Sequence, residues 1–90
     1  TLEIALSSLK AALSVLEETS EWTEEILHDK LINLAAKLEI KNGQMLWPVR
    51  TALSGWAVTP GGAIELADIL GKDESVRRIK IGIERLEESL

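Results

Sequence analysis

The chain has no cysteine, so it can form neither a disulfide framework nor a thiolate metal site. Its one histidine, His28, cannot build an imidazole cluster, and a metal enzyme is not expected. Phenylalanine and tyrosine are missing too. The apolar residues are mainly Ala, Leu, Ile and Val with few β-branched runs, a supply that suits helices better than a sheet. No apolar run approaches the roughly 20 residues that a membrane span requires, and the start lacks the basic-then-apolar layout of a signal peptide. The chain therefore reads as soluble and intracellular, with no membrane partner. Its 90 residues give one domain over 1–90 and no room for a second lobe. It opens on Thr1 rather than methionine, inside a stretch that already reads as helix, so a fragment of a longer protein is expected.

Acidic residues outnumber basic ones, 15 to 10, for a formal charge of -5. Taken alone this argues against a nucleic-acid partner, because phosphate binding is driven by clustered Lys and Arg. The charge is uneven, however. Between Lys41 and Gly62 there is no Asp or Glu, only Lys41 and Arg50, while acids crowd the segments on either side. That window is the one place where an RNA backbone would not be repelled.

Periodicity predicts an all-α bundle of about five helices. Leu6, Leu9, Leu13 and Leu16 recur at alternating steps of three and four, one stripe of a first helix ending near Glu17 or Glu18. Thr23 precedes Glu24 and Glu25, an N-cap with acids where the helix dipole favours them. The second helix is expected to bury Ile26, Leu27, Leu31, Leu34 and Leu38 and to stop at Lys41-Asn42-Gly43. A third runs from about Gln44 to Leu53, with Pro48 in its first turn or at a kink, and Ser54-Gly55 closes it. Thr59-Pro60-Gly61-Gly62 is a turn signal, followed by a short helix from Ala63 to Leu70 and a glycine stop at Gly71. Val76, Ile79, Ile83, Leu86 and Leu90 form the stripe of a terminal helix.

The stretch from Trp47 to Gly62, WPVRTALSGWAVTPGG, joins half a helix to a turn and holds two tryptophans, two prolines and one arginine. The order Pro48-Val49-Arg50, Ala52-Leu53, Gly55, Thr59-Pro60-Gly61, Leu70-Gly71-Lys72 and Arg78 resembles the C-terminal part of bacterial-type glutamyl-tRNA synthetase. The likeness extends upstream through Trp22-Thr23-Glu24 and downstream through Ser75 to Ile79. It implies an all-helical anticodon-binding domain, distal to the domain that joins glutamate to its tRNA. It further implies that Arg50 faces the anticodon loop of glutamate tRNA, and that Thr59, Pro60, Gly61 and Gly62 form the surface against which anticodon bases lie. An unpaired base offers flat faces and free edges, which a guanidinium can stack on or donate to. Proline and close backbone supply an apolar wall. Where some relatives carry a bulky apolar residue two places after the proline, this chain has Gly62, which leaves backbone contact alone at that position; Trp56 is then a candidate to restore the apolar surface by stacking.

The signatures through which class I synthetases bind ATP do not occur here, since His28 stands in an unrelated Leu-His-Asp context. The resemblance thus implies no cofactor on this fragment, with ATP and magnesium held by the catalytic domain of a cytoplasmic bacterial parent. The fragment would not charge tRNA by itself. Its partners would be tRNA and the rest of the synthetase chain, and it would be monomeric.

Plainer readings stand beside these. Arg50 is either an RNA contact or a surface arginine paired to a carboxylate, although no acid lies within a helical turn of it. Trp47, beside Met45, Leu46 and Val49, reads as core, while Trp56 divides evenly between loop packing and stacking. Arg77 and Arg78 follow Asp73 and Glu74 by four residues, two acid-before-base pairs that neutralise each other. Lys41 and Lys72 sit near helix C-termini, where capping explains their charge. The main alternative to RNA recognition is a helical protein-interaction or dimerisation domain using the two apolar stripes. An independent enzyme has no support, because no nucleophile with a base, metal set or phosphate-cradling loop is present.

Overall fold

A computed structural model describes residues 2–54 and 62–89. Those residues form five helices: α1 (Leu2–Glu18), α2 (Glu24–Lys37), α3 (Asn42–Ser54), α4 (Ala63–Leu70) and α5 (Lys72–Ser89). Helix α3 lies in the middle and packs against all four others. Its inward residues Met45, Val49 and Leu53, spaced by four, are fully buried. Around them close Leu9, Ala12 and Leu16 of α1, Leu27, Leu31 and Ala35 of α2, Ala63 and Ala67 of α4, and Ile79 and Ile83 of α5. Of the stripes expected on α1 and α5, Leu6, Leu9, Leu13, Leu16, Ile79, Ile83 and Leu86 face the interior, Val76 is not part of this core, and Leu90 lies outside the described residues.

Thr23 caps α2 as expected, its hydroxyl accepting from the Ile26 N–H at 3.2 Å. Gly71 ends α4 at φ +82°, a backbone region that glycine enters without a Cβ penalty, and its N–H donates to the Ala67 carbonyl. The end of α2 corrects the sequence expectation. The helix stops at Lys37 rather than at Lys41-Asn42-Gly43, because Glu39 turns left-handed at φ 59°. The Glu39 N–H then donates to the Ala36 carbonyl and the Ile40 N–H to the Ala35 carbonyl, the paired bonds of a Schellman ending. Leu38 falls at this end and is 41% exposed instead of buried, while Ile40 tucks against the core.

Asn42 and Gly43 consequently open α3 two residues earlier than Gln44. Gln44 reaches back to accept from the Lys41 N–H at 2.9 Å, which satisfies one donor that the new helix leaves free. Lys41 therefore precedes a helix start and caps no C-terminus. Pro48 lies inside α3 beyond its first turn, buried, where its lack of an N–H leaves the Gln44 carbonyl without its usual helical donor.

Side chains far apart in sequence tie the bundle together. The Trp22 Nε1–H donates to the Ala67 carbonyl at 2.8 Å, which fixes the α1–α2 connection to the end of α4. The Lys72 ammonium donates to the Thr19 carbonyl at 2.7 Å, so it serves the end of α1 and not that of α4. The lysine satisfies a carbonyl that the end of α1 leaves open, while the indole shares the Ala67 carbonyl with the Gly71 N–H.

Candidate nucleic-acid interface

Among the described residues no helix is long and apolar enough to cross a membrane, and no group of three or more His, Asp or Glu side chains is placed to hold a metal ion. Residues 42–54 of the acid-free window form the central helix. Helix α3 carries no carboxylate, and its one charged side chain is Arg50. Arg50 follows Val49, which points into the core, so its stem is half-buried. Its Nε atom is buried without a hydrogen-bond partner, and among the described residues no carboxylate forms an ion pair with it. The paired-surface-arginine reading is therefore not what these residues show.

Gly62 occupies the N-cap of α4 at φ -82° and ψ 172°, ordinary extended backbone, and its carbonyl accepts from Leu66. No side chain caps this helix start. A Cβ built on Gly62 would meet nothing within 4 Å, so internal packing does not demand glycine there. What its small size leaves is open approach to the first-turn amides of α4. Trp56, Thr59, Pro60 and Gly61, the other predicted contacts, lie outside the described residues. Arg50 and Gly62 are thus placed on the two helices that flank them.

The end of α3 is held by a contact that the sequence did not disclose. The Arg78 Nη1–H donates to the Leu53 carbonyl at 2.6 Å, and its Nε–H to the Glu74 carboxylate at 2.7 Å. A guanidinium at a helix C-terminus satisfies an open carbonyl and complements the dipole. Arg77 also turns to Glu74, with bonds of 2.9 and 2.7 Å. Glu74 alone therefore takes both arginines, where Asp73 and Glu74 were expected to take one each. Arg78 figured in the resemblance and in a self-neutralised face; its backbone partner lies 25 residues away, and that distance hid this role. His28 is an exposed neighbour of Asp29.

The hydrogen bond from Arg77, and then that from Arg78, hold the Glu74 carboxyl near a pKa of about 2, against an ordinary 4.5. A carboxylate depressed by folding stabilises the fold fully above about 4.5 and loses that contribution as pH falls towards 2. The thermal midpoint should therefore decline between those limits, and Glu74→Gln should make that decline shallower. Melting followed by circular dichroism at stepped pH measures this, and parallel curves would remove Glu74 from the account.

Trp47 corrects the sequence expectation. It sits two residues from both Met45 and Val49, about 200° around the helix from each. Those two are buried, so the indole is turned outward and is 49% exposed. It stands at the rim of an open apolar groove of about 680 Å³, where the start of α1, the outer side of α3 and the second half of α5 meet.

Comparison with known proteins fits this arrangement. A sequence model described as an anticodon binding domain matches residues 1–83. The chain belongs to the anticodon-binding-domain family. This domain is also 52% identical over 88 residues to a glutamate–tRNA ligase of Clostridium tetani, covering 98% of the chain and 18% of that protein. The corresponding ligase of Clostridium acetobutylicum is 56% identical over 85 residues, covering 94% of the chain and again 18% of the relative. A Clostridium botulinum ligase is 54% identical over 88 residues, 96% of the chain and 18% of the relative. The anticodon-binding domain thus spans under a fifth of these proteins and matches their C-terminal region.

Proposed function

We propose that this domain recognises the anticodon loop of glutamate tRNA as part of a bacterial, cytoplasmic glutamate–tRNA ligase. The observation that supports this most is α3, the central helix, free of acids and carrying one half-buried arginine that forms no ion pair among the described residues. Arg50 would donate to, or stack on, an unpaired base, while the exposed start of α4 at Gly62 would approach with backbone amides. Trp56, Thr59, Pro60 and Gly61 would complete that surface. The likeness to glutamate–tRNA ligases assigns ATP and its magnesium to the catalytic domain of the ligase, and no step on this domain is routed through them. Few phosphates would be neutralised, because the domain is acidic overall.

The alternative, a helical interaction domain using the apolar stripes, loses its argument: Leu9, Leu16, Ile79 and Ile83 are in the core. Such periodicity is what any small bundle needs internally. A monomer would follow, and sedimentation would detect a dimer.

Arg50→Ala in the full-length enzyme tests the reading. Charging efficiency should fall by the equivalent of about 1–3 kcal/mol, the scale of one specific base contact in DNA recognition. The penalty should be larger on the native tRNA than on one altered at the anticodon, because a contact already absent cannot be lost again. Equal penalties on both would make Arg50 a general electrostatic or structural residue.

A further inference from the structure

We propose that Trp47 is a base-stacking residue, extending the RNA-facing surface of α3 one turn towards its N-terminus. The inference rests on the anticodon reading and adds a contact to it. A half-exposed indole, followed by the buried Pro48 and Val49, leaves a large flat apolar face in water. Trp47 stands three residues before Arg50, and side chains at that spacing are neighbours on a helix surface, about 5–6 Å apart at Cβ. Successive nucleotides in a strand are about 3.4 Å apart when stacked. The indole can thus lie under a nucleotide next to the one that Arg50 meets.

The charges around it favour nucleic acid over protein. No Asp or Glu lies on α3, and among the described residues the charged side chains along the groove that Trp47 borders are Arg78, which is already held by Glu74 and the Leu53 carbonyl, and Arg85, which forms no ion pair there. A phosphate backbone is drawn to such a rim, while the flat indole face accepts any base without reading its edge. Stacking at Trp47 would therefore add affinity with little sequence preference, leaving discrimination to Arg50.

The test is the dissociation constant of the full-length enzyme for glutamate tRNA with Trp47→Phe, Trp47→Leu and Trp47→Ala, with Arg50→Ala in parallel. Stacking requires an aromatic ring, so Phe should remain within about threefold of the unmodified enzyme while Leu and Ala each weaken binding about tenfold or more. The melting temperature should stay unchanged, because the indole is half outside the core. If Leu binds as well as Phe, the face is an apolar contact for another part of the protein and the proposal falls. It falls as well if Phe weakens binding as much as Ala, or if all three bind normally. In those cases an effect of Arg50→Ala leaves the anticodon reading standing; no effect there removes both.

Discussion

Leu53→Ala is expected to lower the stability of the domain by about 2–5 kcal/mol, the range for deleting a fully buried leucine side chain. Leu53 is 0% exposed and lies near the end of α3, where the carbonyl of the same residue accepts the bond from Arg78. Its removal leaves a cavity in the helix that every other helix contacts, so no single neighbour can move in to fill it. Natural domains are stable by about 0.05–0.15 kcal/mol per residue, so the loss would be a large share of the total for a chain of 90 residues. Urea unfolding followed by circular dichroism measures it. Arg50→Ala, three residues away on the same helix, should by contrast leave the midpoint nearly unchanged. A midpoint that moves equally in both variants would place Arg50 in the core and undo its assignment as a contact residue.

Gly82→Val should be comparably damaging, by an opposite mechanism. A Cβ on Gly82 would stand 2.9 Å from the Ala52 Cβ and 3.7 Å from its Cα, so α5 and α3 meet there at backbone distance. Ala52 has no rotamer with which to yield, and the helices must separate. Overpacking of this kind costs about 1–3 kcal/mol, and valine with its two methyl groups belongs at or above the upper figure. Helix propensity works the other way, since replacing a mid-helix glycine by alanine gains about 1 kcal/mol, but it cannot offset the clash of a valine side chain with the Ala52 Cβ. The smaller Gly82→Ala change should be partly rescued by Ala52→Gly, which removes the opposing Cβ, and a double-mutant cycle would show a favourable coupling. Strictly additive effects would mean that the two helices do not meet there. Separation of α3 from α5 would also strain the Arg78 bond to the Leu53 carbonyl, so tRNA binding should weaken along with stability.

Much of this protein is written locally. The stripes of α1 and α5, the Thr23 cap and the Gly71 stop follow from spacing and from the chemistry of single residues, which act within one or two helical turns. The resemblance of the stretch around Arg50 to a synthetase anticodon domain was also legible, because it depends on residue order alone. Three expectations failed where the outcome depended on neighbours. The end of α2 went to Glu39, a poor intrinsic choice for a left-handed turn, because the Schellman bonds and the inward packing of Ile40 outweigh its preference. Trp47 was expected inside because its sequence neighbours are apolar, yet those neighbours claim the inward face of α3. Lys72 and Arg78 looked like local electrostatics, but each donates to a carbonyl at the end of a different helix.

The amino-acid sequence by itself thus determined the helices, most of their inward faces and the acid-free window, since these depend on period and composition. The tertiary structure decided which helix stands at the centre, that Gly82 lets α3 and α5 touch, that the arginine at position 50 keeps a nitrogen without a partner, and that Trp47 faces outward. Those outcomes are set by the packing of residues distant in sequence, and periodicity along one helix carries no information about which face a second helix will cover.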